Sequence, residues 1–442
     1  MFKRKIYNKL KAWKAESEGK TALLIEGARR VGKSTLVEEF AKKEYKSYIL
    51  IDFTIVPKSI KDLFDDISDL DYIFLQLQLQ FKVDLFERDS LIIFDEVQSC
   101  PNARQAIKSL VQDHRYDYIE TGSLISIKRN VKDILIPSEE RKINMYPMDY
   151  EEFCMAKGDS TTTELLKEVF QKKKSLGDQL NRKLMRDFRL YMLVGGMPQS
   201  IEEYLNSNSF SKVDEVKRDI LDLYESDLKK IDPSGKASSL FRSIPAQLTG
   251  NASRYQVSSV LEHERASSIA ELITQMQDSK TILVSYHSND PNIGLPGSIN
   301  MSKFKIFLAD TGLFTTLMFN NRDFTENVVY EKLLNDKSNA NLGYLYENIV
   351  AQTLSANGHE LFYNTIFNNS TRRNYEIDFL ITSNNKICPI EVKSSGYKKH
   401  SSLDAFGAKF SNRIKEKYLI YTKDLARMDD VTYLPVYLTQ FL

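Results

Sequence analysis

Two groups of residues in this sequence have the types and spacing that chemistry on phosphates requires. The first lies in EGARRVGKST, where residues 27–34 follow the pattern Gly-x4-Gly-Lys-Ser between an apolar run and a helix-like run. In such a loop the backbone N–H groups turn towards phosphate oxygens, the lysine reaches the β- and γ-phosphates, and the serine hydroxyl binds Mg²⁺. The helix that follows also points its positive end at the phosphates. We therefore predict that ATP is bound by Gly27, Ala28, Arg29, Arg30, Val31, Gly32, Lys33, Ser34 and Thr35.

An acidic pair downstream would complete this nucleotide site. The apolar run LIIF is followed directly by Asp95 and Glu96. We predict that Asp95 holds Mg²⁺ through water, together with Ser34, and that Glu96 polarises the attacking water. Lys33 and Glu96 are thus the predicted catalytic residues, and ATP and Mg²⁺ the predicted cofactors. The alternative is a glycine turn that lies beside a buried acidic pair by chance.

Two further residues are candidates for supporting roles at the nucleotide. Thr121 ends the next strand-like run, in ETGS, and is expected either to sense the γ-phosphate or to cap a helix. Arg141, in EERKINMYP, is the candidate for an arginine that reaches the ATP of a neighbouring subunit. A surface arginine near a turn can equally be a solvated side chain.

The second chemical group lies in EIDFLITSNNKICPIEVKSS, residues 376–395. Phosphodiester hydrolysis needs a metal that polarises the phosphate and generates hydroxide, and Mg²⁺ prefers carboxylate oxygens. Asp378 lies in one strand-like run, Glu391 and Lys393 close the next run, and Glu347 lies on the preceding helix. Glu391 and Lys393 are two residues apart and would face the same side of a strand. These four residues form a predicted nuclease site, with a salt-bridged surface strand and a metal site that does not cut as the alternatives.

The elements that must position these residues follow from the hydrophobic pattern. Strand-like and helix-like runs alternate near the N-terminus, which predicts a parallel sheet with helices on both faces. Short helices followed by two strands then indicate a winged helix, and a helix followed by three strand-like runs ends the chain. We predict an α/β protein with three domains: an ATPase domain at 1–200, a helical and winged-helix region at 201–330, and a nuclease-like domain at 331–442.

Composition limits the function classes. Among 442 residues the formal net charge is only +1, so any nucleic-acid surface must be local. Three cysteines without metal-ligand spacing predict reduced thiols. Because no apolar run of about 18 residues occurs and the N-terminal 20 residues are charged, we expect neither a spanning helix nor a secretory signal. The expected location is the cytoplasm.

Taken together and in order, six motifs resemble a known family. They are EGARRVGKST, LIIFDEVQ, ETGS, INMYPMDYEEF, YMLVGGMPQSI and LADTGLF. The chain is similar to prokaryotic AAA-type P-loop ATPases that carry a C-terminal domain of unknown function, of the AAA_14 and DUF4143 type. The resemblance implies an AAA core, a middle region similar to archaeal ATPases and STAND switch proteins, and an end domain with a PD-(D/E)xK endonuclease-like fold. Glu140 stands where such sequences often have glycine, which weakens the role of Arg141.

Two functions therefore remain open on the sequence. In the first, ATP binding and hydrolysis govern a nuclease-like domain that acts on or binds DNA or RNA. In the second, the chain is a nucleotide-driven switch whose nuclease-like domain does not cut and binds a protein partner. Self-association into a homo-oligomer is a further expectation, whereas the sequence specifies neither the nucleic-acid substrate nor the direction of coupling.

Overall fold

The chain forms two compact units. The computed structural model describes residues 1–122, 138–250, 253–292, 294–319, 327–334, 342–368 and 372–442. The first unit comprises Met1–Tyr146 with Asp278–Lys280, and the second comprises Pro147–Gln277 with Thr281–Leu442. None of the helices within these described ranges is long and apolar enough to cross a membrane.

The first unit is built on a five-stranded sheet in which every neighbouring pair is parallel, in the order β2-β3-β4-β1-β5. Its strands are β1 (Ala22–Glu26), β2 (Ser47–Asp52), β3 (Ser90–Asp95), β4 (Asp117–Gly122) and β5 (Glu140–Asn144). Its described helices are α1 (Ile6–Ser17), α2 (Lys33–Glu44), α3 (Lys58–Asp62), α4 (Leu70–Phe81) and α5 (Pro101–Asp113). The predicted N-terminal parallel sheet is confirmed.

Burial on both faces explains the apolar runs of β1 and β3, whereas β4 is equally buried but carries Asp117, Glu120 and Thr121. Every residue of β1, β3 and β4 is buried, as expected for parallel strands covered on both faces. Helices α4 and α5 share one core cluster with these strands, and α2 packs on β2, β3 and β4. Because β1, β4 and β3 are neighbours and run parallel, their carboxyl ends meet at one edge of the sheet. Open parallel sheets bind ligands at this edge.

The second unit starts with a long helical region. The described helices of the second unit are α6 (Tyr150–Ala156), α7 (Thr162–Lys172), α8 (Asp178–Val194), α9 (Pro198–Ser207), α10 (Phe210–Ile231), α11 (Lys236–Thr249), α12 (Ala270–Asp278), α13 (Thr311–Met318), α14 (Asn327–Leu334), α15 (Gly343–Ala356) and α16 (Ser401–Phe410).

The GGMP and LADTG motifs contact each other in this unit. A β-carbon on Gly195 would collide with the Asp310 carboxylate, and one on Gly312 would collide with the Gly195 backbone. These glycines therefore allow two backbones to touch.

An eight-stranded sheet completes the second unit, in the order β12-β13-β11-β10-β9-β8-β6-β7. The strands are β6 (Ile282–Ser288), β7 (Ile299–Leu308), β8 (Phe362–Asn368), β9 (Arg373–Ser383), β10 (Lys386–Val392), β11 (Lys417–Tyr421), β12 (Ala426–Met428) and β13 (Val431–Pro435). The two strands predicted as the ribbon of a winged helix, β6 and β7, continue the C-terminal sheet, because β6 pairs with β8. One sheet thus contains strands from both sides of the predicted boundary at residue 330.

Candidate functional site

The glycine-rich loop joins the end of β1 to the start of α2. Gly32 precedes α2 with φ of 95°, and Arg30 has φ of 68°. Both values are in the left-handed region, which favours glycine at position 32. Gly27 needs its missing side chain for another reason: a β-carbon there would collide with the carbonyl oxygen of Met145. The spacing of the two glycines therefore fixes the curvature of the loop.

Lys33 points its ammonium group into this loop. Its Nζ donates to the carbonyl oxygens of Gly27, at 2.9 Å, and of Ala28, at 3.0 Å, and the residue is only 8 % exposed. Burial lowers the pKa of Lys33 to about 8, although the nearby Glu96 and Asp95 carboxylates pull it upwards. A partly desolvated cation inside a loop of N–H donors is suited to bind phosphate oxygens.

Asp95 connects three elements at the edge of the sheet. Ser34 Oγ, in the first turn of α2, donates to Asp95 Oδ1 over 2.9 Å. Thr121, at the end of β4, donates to the same oxygen from a fully buried position. The hydroxyl of Ser34 and the carboxylate of Asp95 are hard oxygen donors of the kind that Mg²⁺ prefers. These side chains therefore fit the predicted metal.

Glu96 lies directly after β3 with φ of 50°, a left-handed conformation that turns the chain sharply after Asp95. It is partly buried, and its carboxylate accepts a hydrogen bond from the side chain of Gln98. Glu96 is near enough to Lys33 to act on its pKa. The structure therefore brings together Lys33, Ser34, Asp95, Glu96 and Thr121. The alternative role of Thr121 as a helix cap involves residues outside the described ranges.

Arg4, which was not among the predicted site residues, supports the loop. Its two terminal nitrogens donate to the carbonyl oxygens of Val31, at 2.9 Å, and Tyr146, at 2.7 Å. Beside them, the Met145 N–H donates to the carbonyl oxygen of Glu26. One guanidinium group thus ties the phosphate loop to the segment after β5. A basic residue just before an amphipathic helix was the only signal.

A buried ion-pair group lies farther along β4. Arg104, on α5, pairs with Glu120 at 3.1 Å and with Glu140, on β5, at 2.8 Å. Burial raises the pKa of Glu120 to about 8, with Arg104 opposing the shift and Glu140 adding to it. One guanidinium group is therefore shared by two buried acids, immediately next to Thr121 in sequence. Sequence reasoning missed this group because its members are far apart in the chain.

Arg141 lies in edge strand β5, at the register of Leu23 rather than at the carboxyl end of β1. Its Nη1 is 3.2 Å from Oε2 of Glu16, and both side chains are largely exposed. Three residues separate this register from Glu26, which is about 10 Å along a strand. Within its own chain, Arg141 therefore belongs to a surface ion pair.

The predicted C-terminal site divides into two groups. Glu347 on α15 and Asp378 on β9 come together with Glu376, and carboxylate oxygens of the three lie within 4.8 Å of one another. Lys305, on β7, lies among them, with its Nζ 2.6 Å from Glu347 and 3.9 Å from Asp378 and in contact with Glu376. Burial and the neighbouring Glu347 carboxylate raise the pKa of Asp378 well above its usual range.

Glu391 and Lys393 form the other group. Their side chains pair at 3.0 Å, and the Lys393 ammonium also contacts the carbonyl oxygen of Lys399. Burial raises the pKa of Glu391, and the neighbouring Lys393 ammonium opposes that shift. Glu391 is thus not among the three grouped carboxylates. Lys393 still lines the same open cavity of about 400 Å³ as Glu347 and Asp378.

Three family models match successive parts of the chain. Residues 19–154 match the model described as an AAA domain. The N-terminal part is an AAA-type P-loop domain. Residues 185–323 and 342–438 match two domains of unknown function, DUF8612 and DUF4143. The predicted resemblance is thus confirmed for the AAA domain and for the DUF4143 domain, and the endonuclease-like character of the latter stays a prediction. No curated protein matches the chain.

Several solved structures are distantly similar to this chain. A Walker-type ATPase of Pyrococcus abyssi is 17 % identical, with a TM-score of 0.44, and the match covers 72 % of this chain and 96 % of that one. The Orc1 protein of Aeropyrum pernix, in complex with DNA, is 10 % identical, with a TM-score of 0.28 and coverage of 73 % and 93 %. A signal-transduction ATPase with numerous domains (STAND) from Pyrococcus horikoshii is 12 % identical, with a TM-score of 0.28 and coverage of 78 % and 45 %. Scores this low carry no functional conclusion.

Proposed function

We propose that this protein binds ATP with Mg²⁺, hydrolyses it, and uses its nucleotide state to control the C-terminal domain. The observation that carries the proposal is the contact of Ser34 and Thr121 with one oxygen of Asp95, beside the buried ammonium of Lys33. The glycine-rich loop, the hydroxyl and carboxylate of Ser34 and Asp95, and Thr121 thus lie at the same edge of the parallel sheet, which supports a site for ATP and Mg²⁺. The match of residues 19–154 to an AAA domain supports the same conclusion.

Each side chain then has a role that its position allows. Lys33 exchanges its two carbonyl contacts for phosphate oxygens, which neutralises negative charge within a largely buried loop. Ser34 and Asp95 would hold Mg²⁺, which supplies charge neutralisation on the phosphates. Glu96 orients and polarises the attacking water, while Thr121 is placed to register the γ-phosphate through its bond to Asp95. The Asp95–Thr121 bond would thereby link the phosphate state to β4.

Glu96→Gln is the variant that tests hydrolysis. It keeps the shape and the hydrogen bond to Gln98 but removes the charge that polarises water, so we expect ATP binding within about threefold of wild type and turnover reduced about a hundredfold or more. Phosphate release and binding of a fluorescent ATP analogue measure the two quantities. Glu39→Gln, a partly exposed residue of α2 that pairs with Lys43, is the matched control. Equal turnover in wild type and Glu96→Gln would remove Glu96 from the water-polarising role.

A second candidate function is metal-dependent cleavage of DNA or RNA by the C-terminal domain. The observation that favours it is the group of carboxylates from Glu347, Glu376 and Asp378, two of which line an open cavity. Such oxygens suit a divalent metal, which would supply Lewis-acid activation of a phosphodiester. Under this proposal Lys393 would contact the substrate from the wall of the same cavity.

A cleavage assay distinguishes this candidate from a switch that binds a protein partner without cutting. Linear, single-stranded and branched DNA and RNA are incubated with Mg²⁺ or Mn²⁺, with and without ATP, beside Asp378→Ala and Lys393→Ala. Cleavage that is lost in Asp378→Ala supports the nuclease, and its ATP dependence gives the direction of coupling. If the protein cleaves none of these substrates but still hydrolyses ATP, the result supports the switch. Light scattering with and without ATP would then test for a homo-oligomer.

A further inference from the structure

Lys305 is a charged residue in the buried second half of β7, whose first half is partly exposed. Phe304, Ile306 and Phe307 around it are at most 2 % exposed, and the Lys305 side chain itself is 6 % exposed. An ammonium group in such a position is strongly destabilising unless it is paired and hydrogen-bonded. An apolar residue at position 305 would be buried without this destabilisation, so the lysine needs an explanation.

The contacts of this lysine account for its burial. Its Nζ pairs with Glu347 at 2.6 Å and also with Glu376, and it lies 3.9 Å from the Asp378 carboxylate. The ring of Tyr363 lies beneath it at 5.6 Å, within the range of a cation–π contact. Glu347, Glu376 and Asp378 are also the residues whose oxygens lie within 4.8 Å of one another. One ammonium group therefore neutralises the carboxylates that a divalent metal would need.

We infer that Lys305 is the resident cation of this carboxylate group, and that a divalent metal binds there only by displacing it. A metal ion bound by these oxygens would lie about 2.0–2.6 Å from each of them, and the Lys305 ammonium, 2.6 Å from Glu347 and 3.9 Å from Asp378, overlaps that position. Displacement of Lys305 deepens the second candidate function and rests on it for the choice of site, but it concerns metal binding rather than cleavage. Metal binding thereby becomes conditional on a movement of the Lys305 side chain.

The test is Mn²⁺ binding to the full, nucleotide-free chain, measured by the loss of the free-ion signal in electron paramagnetic resonance. We expect Lys305→Met to bind Mn²⁺ about a hundredfold more tightly than wild type, because the metal no longer has to displace a buried ammonium group from its ion pairs with the carboxylates. Adding Glu347→Gln should abolish the gain, which assigns it to this site. Lys303→Met, two residues earlier on β7, is the matched control and should behave like wild type.

Two results would overturn the inference. One is equal Mn²⁺ affinity in wild type and a folded Lys305→Met. The other needs no lysine variant: a Mn²⁺ site of micromolar affinity in the unaltered protein that is lost in Glu347→Gln would show that Lys305 does not exclude the metal. Cleavage is scored separately. If Lys305→Met gains Mn²⁺ but cuts no substrate, the lysine is the resident cation and the nuclease proposal fails alone.

Discussion

Replacing Lys33 by methionine should make the nucleotide-free protein more stable while it destroys ATP binding. Methionine keeps the length and apolar stem of the side chain but removes the ammonium group. In the wild type that group is buried, and its contacts in the loop are two carbonyl oxygens and, at longer range, Asp95 and Glu96. The proposed partners of this ammonium group are the phosphates of ATP. Without ATP, the buried charge therefore lowers the free energy of unfolding.

The size of this cost follows from the pKa. Burial lowers the pKa of Lys33 from 10.5 to about 8, and each unit corresponds to about 1.4 kcal/mol, so the charged form is disfavoured by on the order of 3 kcal/mol. Loss of the donors to Gly27 and Ala28 offsets part of the gain, which leaves about 1–2 kcal/mol for Lys33→Met. That amount raises the melting temperature of a unit of this size by a few degrees.

The pH dependence has a definite sign. Because the folded pKa is depressed, the unfolded chain binds more protons between pH 8 and 10.5, so wild-type stability rises with pH across that window. The advantage of Lys33→Met is therefore complete below about pH 8 and shrinks above it. Losing charge-assisted bonds to phosphate should weaken ATP binding about a hundredfold or more.

Calorimetric melting of the nucleotide-free protein at pH 7 and pH 10, together with binding of a fluorescent ATP analogue, measures both effects. Lys43→Met, on the exposed face of α2, removes the same charge where it is paired with Glu39 at the surface, and should change neither quantity appreciably. A lower melting temperature for Lys33→Met at pH 7 would refute the argument from the buried charge. Unchanged ATP affinity would refute the assignment of the phosphate loop.

Two further perturbations test the support of the site. Arg4→Met removes the donors to Val31 and Tyr146. It should therefore weaken ATP binding about tenfold, with little change in turnover at saturating ATP. An ATP affinity equal to that of the wild type would show that Arg4 does not support the loop. Because burial raises the pKa of Glu120 from 4.5 to about 8, stability from its neutral form is present below pH 4.5 and is lost as the pH rises through about 8. Between pH 5 and pH 8 the melting temperature of Glu120→Gln should therefore fall less than that of the wild type. Parallel curves of melting temperature against pH would contradict this.

The grouping of the residues proposed to bind nucleotide was predictable from the sequence because its main signals are local. Gly27, Gly32, Lys33 and Ser34 are separated by a fixed number of residues, and a buried strand before them and a helix after them are visible in the hydrophobic pattern. Asp95 could be added because a parallel sheet brings strand ends to one edge. Arg4 could not be predicted, because its contacts depend on where the N-terminal segment passes the loop. The hydrophobic periodicity of the sequence contains no information about that position.

The C-terminal site shows where alternation along a strand stops being a guide. Two residues of β9, Asp378 and Phe379, lie opposite the single residue Tyr363 of β8, which is a β-bulge. As a result Ile377 and Leu380, which regular alternation would place on opposite faces, share one core cluster. The prediction that Asp378 and Glu391 belong to one site rested on the order of acidic residues along the chain, which contains no information about this bulge.

Lys305 was missed for a related reason. Two-residue alternation around FKIFL reads Lys305 as a solvated residue of a ribbon, and only the pairing of β6 with β8 places β7 in the same sheet as Asp378. In that position the Lys305 ammonium neutralises part of the charge of Glu347, Glu376 and Asp378. Metal binding to these carboxylates requires the Lys305 side chain to move, and under the proposed function nucleotide binding to the first unit would cause that movement. Metal binding that tightens only with ATP would connect the two sites, and Mn²⁺ titration of the Glu96→Gln variant in the presence of ATP is the measurement that would detect it.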